Sequence, residues 1–321
     1  MNLTCASFFA GVGGIDLAFE SEGFKVVYAN EMDKWAVKTY QANSNLKVDA
    51  RDINEVKNTE IPPFHVLLAG FPCQPFSVAG KLGGFSDAKG RGQMFFRLLD
   101  IIQEHKPEII FLENVKNLVS HDNGHSFRVI QTTLEKQGYL VKYKVMNTAN
   151  YGNLPQNRER VYIVAFLNHE TGTTFEFPGQ TPLTTQLPDC IDFHSYINDP
   201  GLYYTSTSFG HFAEIEPVIK EKGVMYQWRR KYVRSNKSSL CPTLTANMGT
   251  GGHNVPLIYT SFGIRKLTPR ECFRLQGFSD SFALPDMAPS HLYKQAGNSV
   301  SVTVIQRIAE SIRKAVSNTN L

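Results

Sequence analysis

The chain has 321 residues, 42% hydrophobic and 19% charged, with a formal net charge of +4. That length suits one large α/β domain with an insertion, or two domains, and the composition excludes disordered, collagen-like and coiled-coil chains. No apolar run approaches the roughly 18 residues that span a bilayer.

Residues 3–9 predict a first strand, which runs into the glycine-rich turn Ala10-Gly11-Val12-Gly13-Gly14 and then a helix. A second strand is expected over 24–29 and a helix over 33–42. Asp52 and Ile53 fall at the end of a plausible third strand. The apolar run 65–69 ends at Gly70-Phe71-Pro72, and 93–104 has helical spacing. A strand over 108–112, a helix over 125–138 and strands over 140–146 and 160–166 complete the first half. Strands alternating with helices predict a doubly wound, mostly parallel sheet covered on both faces. After about Pro178 the periodicity weakens, and it returns as helices over 268–276 and 300–316. The expected division is a catalytic and cofactor-binding domain over 1–178, a small irregular, β-rich domain over 179–284, and a segment over 285–321 that returns to the first domain.

Charge is unevenly spread. From Lys222 to Arg270 there are nine Lys or Arg and no acid, which leaves 24 basic and 29 acidic residues elsewhere. A surface of that kind, interleaved with Tyr226, Trp228 and Tyr232, favours a polyanion such as nucleic acid over a merely solvated basic face. The N-terminus lacks the basic and apolar regions of a signal peptide. Cys5, Cys73, Cys190, Cys241 and Cys272 are too scattered for a disulfide framework or a zinc site, so a reducing cytoplasm is expected and no metal.

Strand, glycine turn and helix N-terminus form the nucleotide-binding corner of such sheets. A dinucleotide fingerprint wants a third glycine at position 16, where Asp16 stands. Glu31, twenty residues after Gly11, can accept from two ribose hydroxyls, and Asp52 can reach an adenine amino group. An adenosine-bearing ligand without the pyrophosphate of NAD fits this set, and S-adenosylmethionine answers that description. Cys73, in Gly70-Phe71-Pro72-Cys73-Gln74-Pro75-Phe76-Ser77, stands just past a strand end, where open α/β sheets bind substrates. The loop 78–92 holds five glycines with Lys81, Lys89 and Arg91 and suits a basic lid. Glu113 ends the neighbouring strand, while Arg158 and Arg160, two residues apart, share a strand face.

These segments resemble the DNA (cytosine-5)-methyltransferase family of bacterial restriction-modification systems. The resemblance rests on Phe8-Phe9-Ala10-Gly11-Val12-Gly13-Gly14, Asn30-Glu31-Met32-Asp33, the Pro72-Cys73-Gln74-Pro75 segment, Glu113-Asn114-Val115, Gln156-Asn157-Arg158-Glu159-Arg160, Arg270-Glu271-Cys272 and Gln295-Ala296-Gly297-Asn298-Ser299-Val300. One departure is Arg51-Asp52-Ile53, where the family usually has Gly before the Asp.

The resemblance implies the S-adenosylmethionine-dependent methyltransferase fold, with Cys73 as nucleophile, Glu113 as acid, and Arg160 with Arg158 at the base carbonyl. It implies a cofactor site of Phe9, Gly11, Val12, Gly13, Gly14, Glu31, Met32, Asp52, Ile53, Gly70, Pro72, Asn298, Ser299 and Val300. Double-stranded DNA is the expected partner. Its contacts are assigned to Gln74, Ser77, Lys89 and Arg91 on the loop side and to Arg229, Arg230, Lys231, Arg234, Thr243, Thr245, Asn247 and Gly251 in the basic segment. A monomer that works alongside a restriction endonuclease is expected. The alternatives are an RNA (tRNA) cytosine-5 methyltransferase and a non-catalytic DNA-binding protein.

Overall fold

The structure is a computed structural model, and it describes residues 3–72, 93–229, 231–236, 238–249 and 254–319. In chain order its principal elements begin with β1 (Thr4–Phe8), α1 (Gly14–Glu20), β2 (Lys25–Asn30), α2 (Lys34–Asn43), β3 (Val66–Ala69), α3 (Gln93–His105) and β4 (Ile109–Val115). Next come α4 (His125–Lys136), β5 (Leu140–Asn147) and β6 (Glu159–Phe166). The second half contributes β7 (Met225–Trp228), β8 (Val233–Asn236), β9 (Val255–Thr260), β10 (Gly263–Lys266), α5 (Pro269–Leu275), α6 (Pro289–Asn298) and α7 (Val302–Asn318).

The main sheet has the order β2-β1-β3-β4-β6-β5. Its pairings are parallel from β2 to β4 and antiparallel across β4/β6 and β6/β5. The antiparallel edge follows from chain length, because 148–158 is too short to carry a crossover back to the starting edge. Strand β3 is buried at every residue, as a strand covered on both faces must be. Alternate side chains serve two cores. Cys5, Leu68 and Phe111 pack with α1 and α7 through Ile15, Phe19, Ile305 and Ile308. Leu67, Ile110 and Leu112 pack on the other face with α3 and α4 through Leu98, Ile101, Ile130 and Leu134. The expected doubly wound sheet is therefore present.

No strand forms at Asp52. Beyond α2 the chain makes only an isolated parallel bridge between Asn30 and Asp49, then turns. Asp52 Oδ1 accepts from the Asn54 backbone N–H at 2.9 Å and from Asn54 Nδ2 at 2.9 Å. A turn closed by Asp over its second neighbour replaces the strand end expected from the sequence.

The second sheet, β10-β9-β7-β8, is antiparallel throughout. It has its own core, in which Ile215, Ile219, Tyr226, Trp228, Val255, Leu257 and Ile264 meet. Among the described residues, two joints link this part of the chain to the rest of the fold. Cys241 and Pro242 pair in parallel with Gln156 and Asn157 at the entrance to β6. The buried Arg265 of β10 makes a two-pronged ion pair with Glu271 of α5, at 2.9 and 2.7 Å. Glu271 also closes a capping box with Thr268, which starts α5. Cys272, Phe273 and Leu275 of α5 bury themselves in the main-sheet core.

Candidate active site

The carboxyl ends of β1, β3 and β4 open into a cavity of about 370 Å³, a size usual for cofactor and substrate sites. The chain leaves β1 through Phe9 at φ 55° and Gly11 at φ 57° and enters α1 from Gly13 at φ 85°. Left-handed backbone at Gly11 and Gly13 costs little only because both lack Cβ. The turn is held from outside by Glu31, whose Oε2 accepts from the Gly11 N–H at 2.9 Å and whose Oε1 accepts from the Asp33 N–H at 2.7 Å. Burial raises the Glu31 carboxyl above its ordinary range.

Beneath the turn, the buried Asp16 carboxylate accepts from Ser7 Oγ at 2.5 Å and from Tyr40 Oη at 2.7 Å, which binds β1, α1 and α2 together. Burial raises Asp16 to about 6, against the lowering effect of those two hydroxyls. The sequence marked Asp16 only as a missing glycine. Its signal was an acid at an otherwise apolar helix position, with a tyrosine on the following helix.

Opposite the glycine turn, β4 and β6 pair so that Glu113 faces Tyr162 and Val115 faces Arg160. Arg160 Nε stands 3.1 Å from Glu113 Oε1, with both side chains nearly buried. Asn114, next along β4, donates to the Phe71 carbonyl at 2.9 Å and accepts from the Val115 N–H at 2.8 Å. It fixes the strand exit that carries Gly70, Phe71 and Pro72 to the cavity wall.

Arg158 takes a different role from Arg160. It is 2% exposed, and its guanidinium donates to the carbonyls of Leu244 at 3.0 Å, Gly297 at 3.3 Å and Ser299. Burial and the neighbouring Arg160 charge lower it to about 9, so it remains protonated at neutral pH.

Of the residues singled out from the sequence, the structure brings Phe9, Gly11, Val12, Gly14, Glu31, Gly70, Pro72, Glu113, Arg158, Arg160, Asn298, Ser299 and Val300 to one cavity. Gly14 lies so close to the C-terminal segment that a Cβ there would meet Val300 Cγ2 at 2.9 Å. Gly13, Met32, Asp52 and Ile53 are not part of that wall. Gly13 rests on the Tyr40 ring, Met32 is exposed, and Ile53 is buried in the α3-side core. Lys294, not singled out from the sequence, lines the cavity, as does Gln295, which was named only within the resemblance and given no role. Cys73, Gln74, Ser77, Lys89, Arg91, Arg230 and Gly251 lie outside the described residues.

The basic segment forms the β7–β8 hairpin. Arg229, Lys231 and Arg234 are all exposed there, and Arg229 donates to Gln227 at 3.1 Å. Thr243 donates to the Asn157 carbonyl at 2.6 Å and Thr245 to Asn247 at 2.7 Å. Residues 243 and 244 are thus tied to the chain entering β6 rather than to the hairpin.

Ser299 Oγ is buried without a hydrogen-bond partner among the described residues, and Glu113 Oε1 has there its ion pair with Arg160 but no hydrogen bond. Both belong to residues that line the cavity. Buried polar atoms are rarely left so, and such atoms in a cavity suit a polar ligand. The open glycine turn, the Glu31 carboxylate and Ser299 match the donors and acceptors of an adenosyl amino acid.

The model of the C-5 cytosine-specific DNA methylase family matches residues 3–314. The type II methyltransferase M.Bsp6I of Bacillus sp. (strain RFL6) is 55% identical over 315 residues, 98% of this chain and 99% of that protein. M.HhaI of Haemophilus parahaemolyticus is 38% identical over 319 residues, 96% of this chain and 94% of that protein. Among solved structures, the S. pombe Dnmt2 methyltransferase superposes with a TM-score of 0.75 at 18% identity, covering all of both chains.

Proposed function

The chain belongs to the C-5 cytosine-specific DNA methylase family and is a DNA (cytosine-5) methyltransferase of the type II kind; from that premise we propose that it moves a methyl group from S-adenosylmethionine to one cytosine in a short duplex sequence, through a covalent bond to Cys73. The observation that carries this reading is the Glu113–Arg160 pair, which shares one cavity with the glycine turn and with Pro72, the residue before Cys73.

Carbon 5 of cytosine is a poor nucleophile. Addition of the Cys73 thiolate to carbon 6 breaks the ring double bond and turns carbon 5 into an enamine carbon. The charge this places on the ring is met at N3 by a proton from Glu113 and at O2 by Arg160. General acid help of this kind contributes about 10²–10⁴ in rate. A bound sulfonium would supply the electrophilic methyl group that carbon 5 attacks, its carbon–sulfur bond breaking to leave the thioether S-adenosylhomocysteine. Loss of the carbon 5 proton to ordered water, elimination of Cys73 and return of the N3 proton to Glu113 then restore the aromatic ring. Glu31, the Gly11 turn and Asn298 to Val300 hold the cofactor, while Asp52 and Ile53, also expected at it, lie outside the cavity wall. The target base must leave the duplex stack, at a cost of a few kcal/mol. The domain over 179–284 reads the sequence, with phosphate contacts from the β7–β8 hairpin and base contacts from 243–254. The protein acts in the cytoplasm as a monomer and protects DNA from a restriction endonuclease.

Transfer of labelled methyl groups to unmethylated duplex DNA, with RNA as competitor, tests the reading. Incorporation into DNA carbon 5 that disappears in Cys73→Ser is the expected result. Equal labelling of RNA, or a Cys73→Ser variant of undiminished activity, contradicts it.

A further inference from the structure

We infer that Arg158 is a positioning residue: a buried strut that couples the cofactor end of the cavity to the DNA-reading segment around Leu244. The inference rests on the cofactor reading above and adds a second function to the same site.

Both polar groups of one residue are involved. The Leu244 N–H donates to Gln156 Oε1 at 3.3 Å and its carbonyl accepts from Arg158 Nη1 at 3.0 Å. Gln156 is itself fixed by donating to the Leu275 carbonyl at 2.8 Å. Side chains two apart at the entrance to β6 therefore grip Leu244 from the main sheet. The other prong, Arg158 Nη2, donates to the carbonyls of Gly297 and Ser299. One planar guanidinium thus spans the reading segment and the segment that lines the cofactor end of the cavity. Rigid, forked donors make arginine suited to such a bridge, and lysine cannot replace it one for one.

The two segments also touch directly. A Cβ on Gly297 would stand 2.2 Å from the Thr245 carbonyl carbon and 2.4 Å from the Ala246 nitrogen. A shift of 297–299 when a ligand settles against Ser299 is therefore felt at 244–246 through two paths. A guanidinium deprived of either set of carbonyls is left buried and short of acceptors, and Arg158 Nε already lacks one among the described residues. Linkage makes the coupling reciprocal: whatever cofactor binding does to the reading segment, DNA on that segment does to cofactor affinity.

Backbone hydrogen exchange at 241–249, with and without S-adenosylhomocysteine, tests this, while calorimetry reads the affinity for the same compound. In the wild type the bound compound is expected to slow exchange of the Leu244 N–H by on the order of tenfold, a usual size for coupling between sites. In Arg158→Lys the compound still binds, within about fivefold, but the slowing falls below twofold. Gly297→Ala, which keeps the guanidinium but forces apart the segments it bridges, gives the same loss should Arg158→Lys fail to fold. A wild type that binds the compound with no change at 241–249, or an Arg158→Lys protein that keeps full slowing, overturns the inference. A wild type that fails to bind the compound overturns the cofactor reading itself, and the strut with it.

Discussion

Arg160 of β6 reaches across one strand pairing to stand 3.1 Å from Glu113 of β4, and both side chains are almost closed off from solvent. Both residues line the cavity, so a ligand there meets the carboxyl and the guanidinium together.

Removal of one member is expected to do more damage than removal of both. Arg160→Met leaves Glu113 buried without its cation and is expected to lower stability by on the order of 3 kcal/mol. Adding Glu113→Gln to it is expected to recover 1 kcal/mol or more, as neighbouring substitutions couple. Activity is expected not to recover, since on the proposed mechanism neither O2 nor N3 of the base is then served. Urea unfolding of the two single variants and the double variant measures the coupling, and strict additivity contradicts it.

Glu113→Gln alone keeps the shape and removes the proton. Single-turnover methyl transfer is expected to fall by about 10²–10⁴, while affinity for S-adenosylhomocysteine stays within about threefold. A loss of cofactor affinity that accounts for the whole defect contradicts the acid role.

Asp16 makes stability depend on pH with an unusual sign. Its carboxyl is raised from 3.8 to about 6 in the fold, chiefly by burial, with Glu20 adding to the rise. The folded chain therefore binds more protons than the unfolded chain between those values, so this residue's contribution falls as pH rises through that window. The drop is on the order of 2–3 kcal/mol. Asp16→Asn is expected to remove that part of the slope. Parallel urea titrations at pH 4.5 and 7.5 check this, and an unchanged difference between the two pH values contradicts it.

Arg265 and Glu271 lock the second sheet to α5 with no exposure of Arg265 at all. Glu271→Gln leaves that guanidinium uncompensated and is expected to cost about 3–5 kcal/mol. The joint double change Arg265→Met with Glu271→Leu is expected to be far milder. Thermal unfolding of both variants decides the matter: equal damage from the two contradicts the account of the pair.

Arg229, Lys231 and Arg234 project from one hairpin. Each alanine substitution is expected to reduce the slope of log affinity against log salt on duplex DNA by about 0.9. Fluorescence titrations between low and moderate salt supply the slopes, and three unchanged slopes remove the hairpin from the DNA interface.

The glycine turn, Glu31, Glu113 and Arg160 were legible because each stands at the end of a readable strand, where period and position alone place a side chain. Arg158 was legible as a member of the site but not in its role. Its acceptors are backbone carbonyls 86, 139 and 141 residues away, and carbonyls carry no sequence signature. Asp52 misled because the apolar Ile53 invites a strand, whereas the short-range hydrogen bonds to Asn54 close a turn first. The antiparallel edge β6–β5 was hidden for another reason. β6 is buried along most of its length, so its pattern reads the same in either direction, and only the length of 148–158 distinguishes them.

The covalent step is tested most directly with duplex DNA that carries 5-fluorocytosine at the methylated position. Fluorine cannot leave as a proton, so the ring cannot shed the sulfur once carbon 5 is methylated. With S-adenosylmethionine present, the account predicts a protein–DNA adduct that survives denaturing electrophoresis, is absent in Cys73→Ser, and is cut to a peptide bearing Cys73. Methylation of ordinary DNA by a protein that forms no such adduct, or an adduct mapped to another residue, contradicts it.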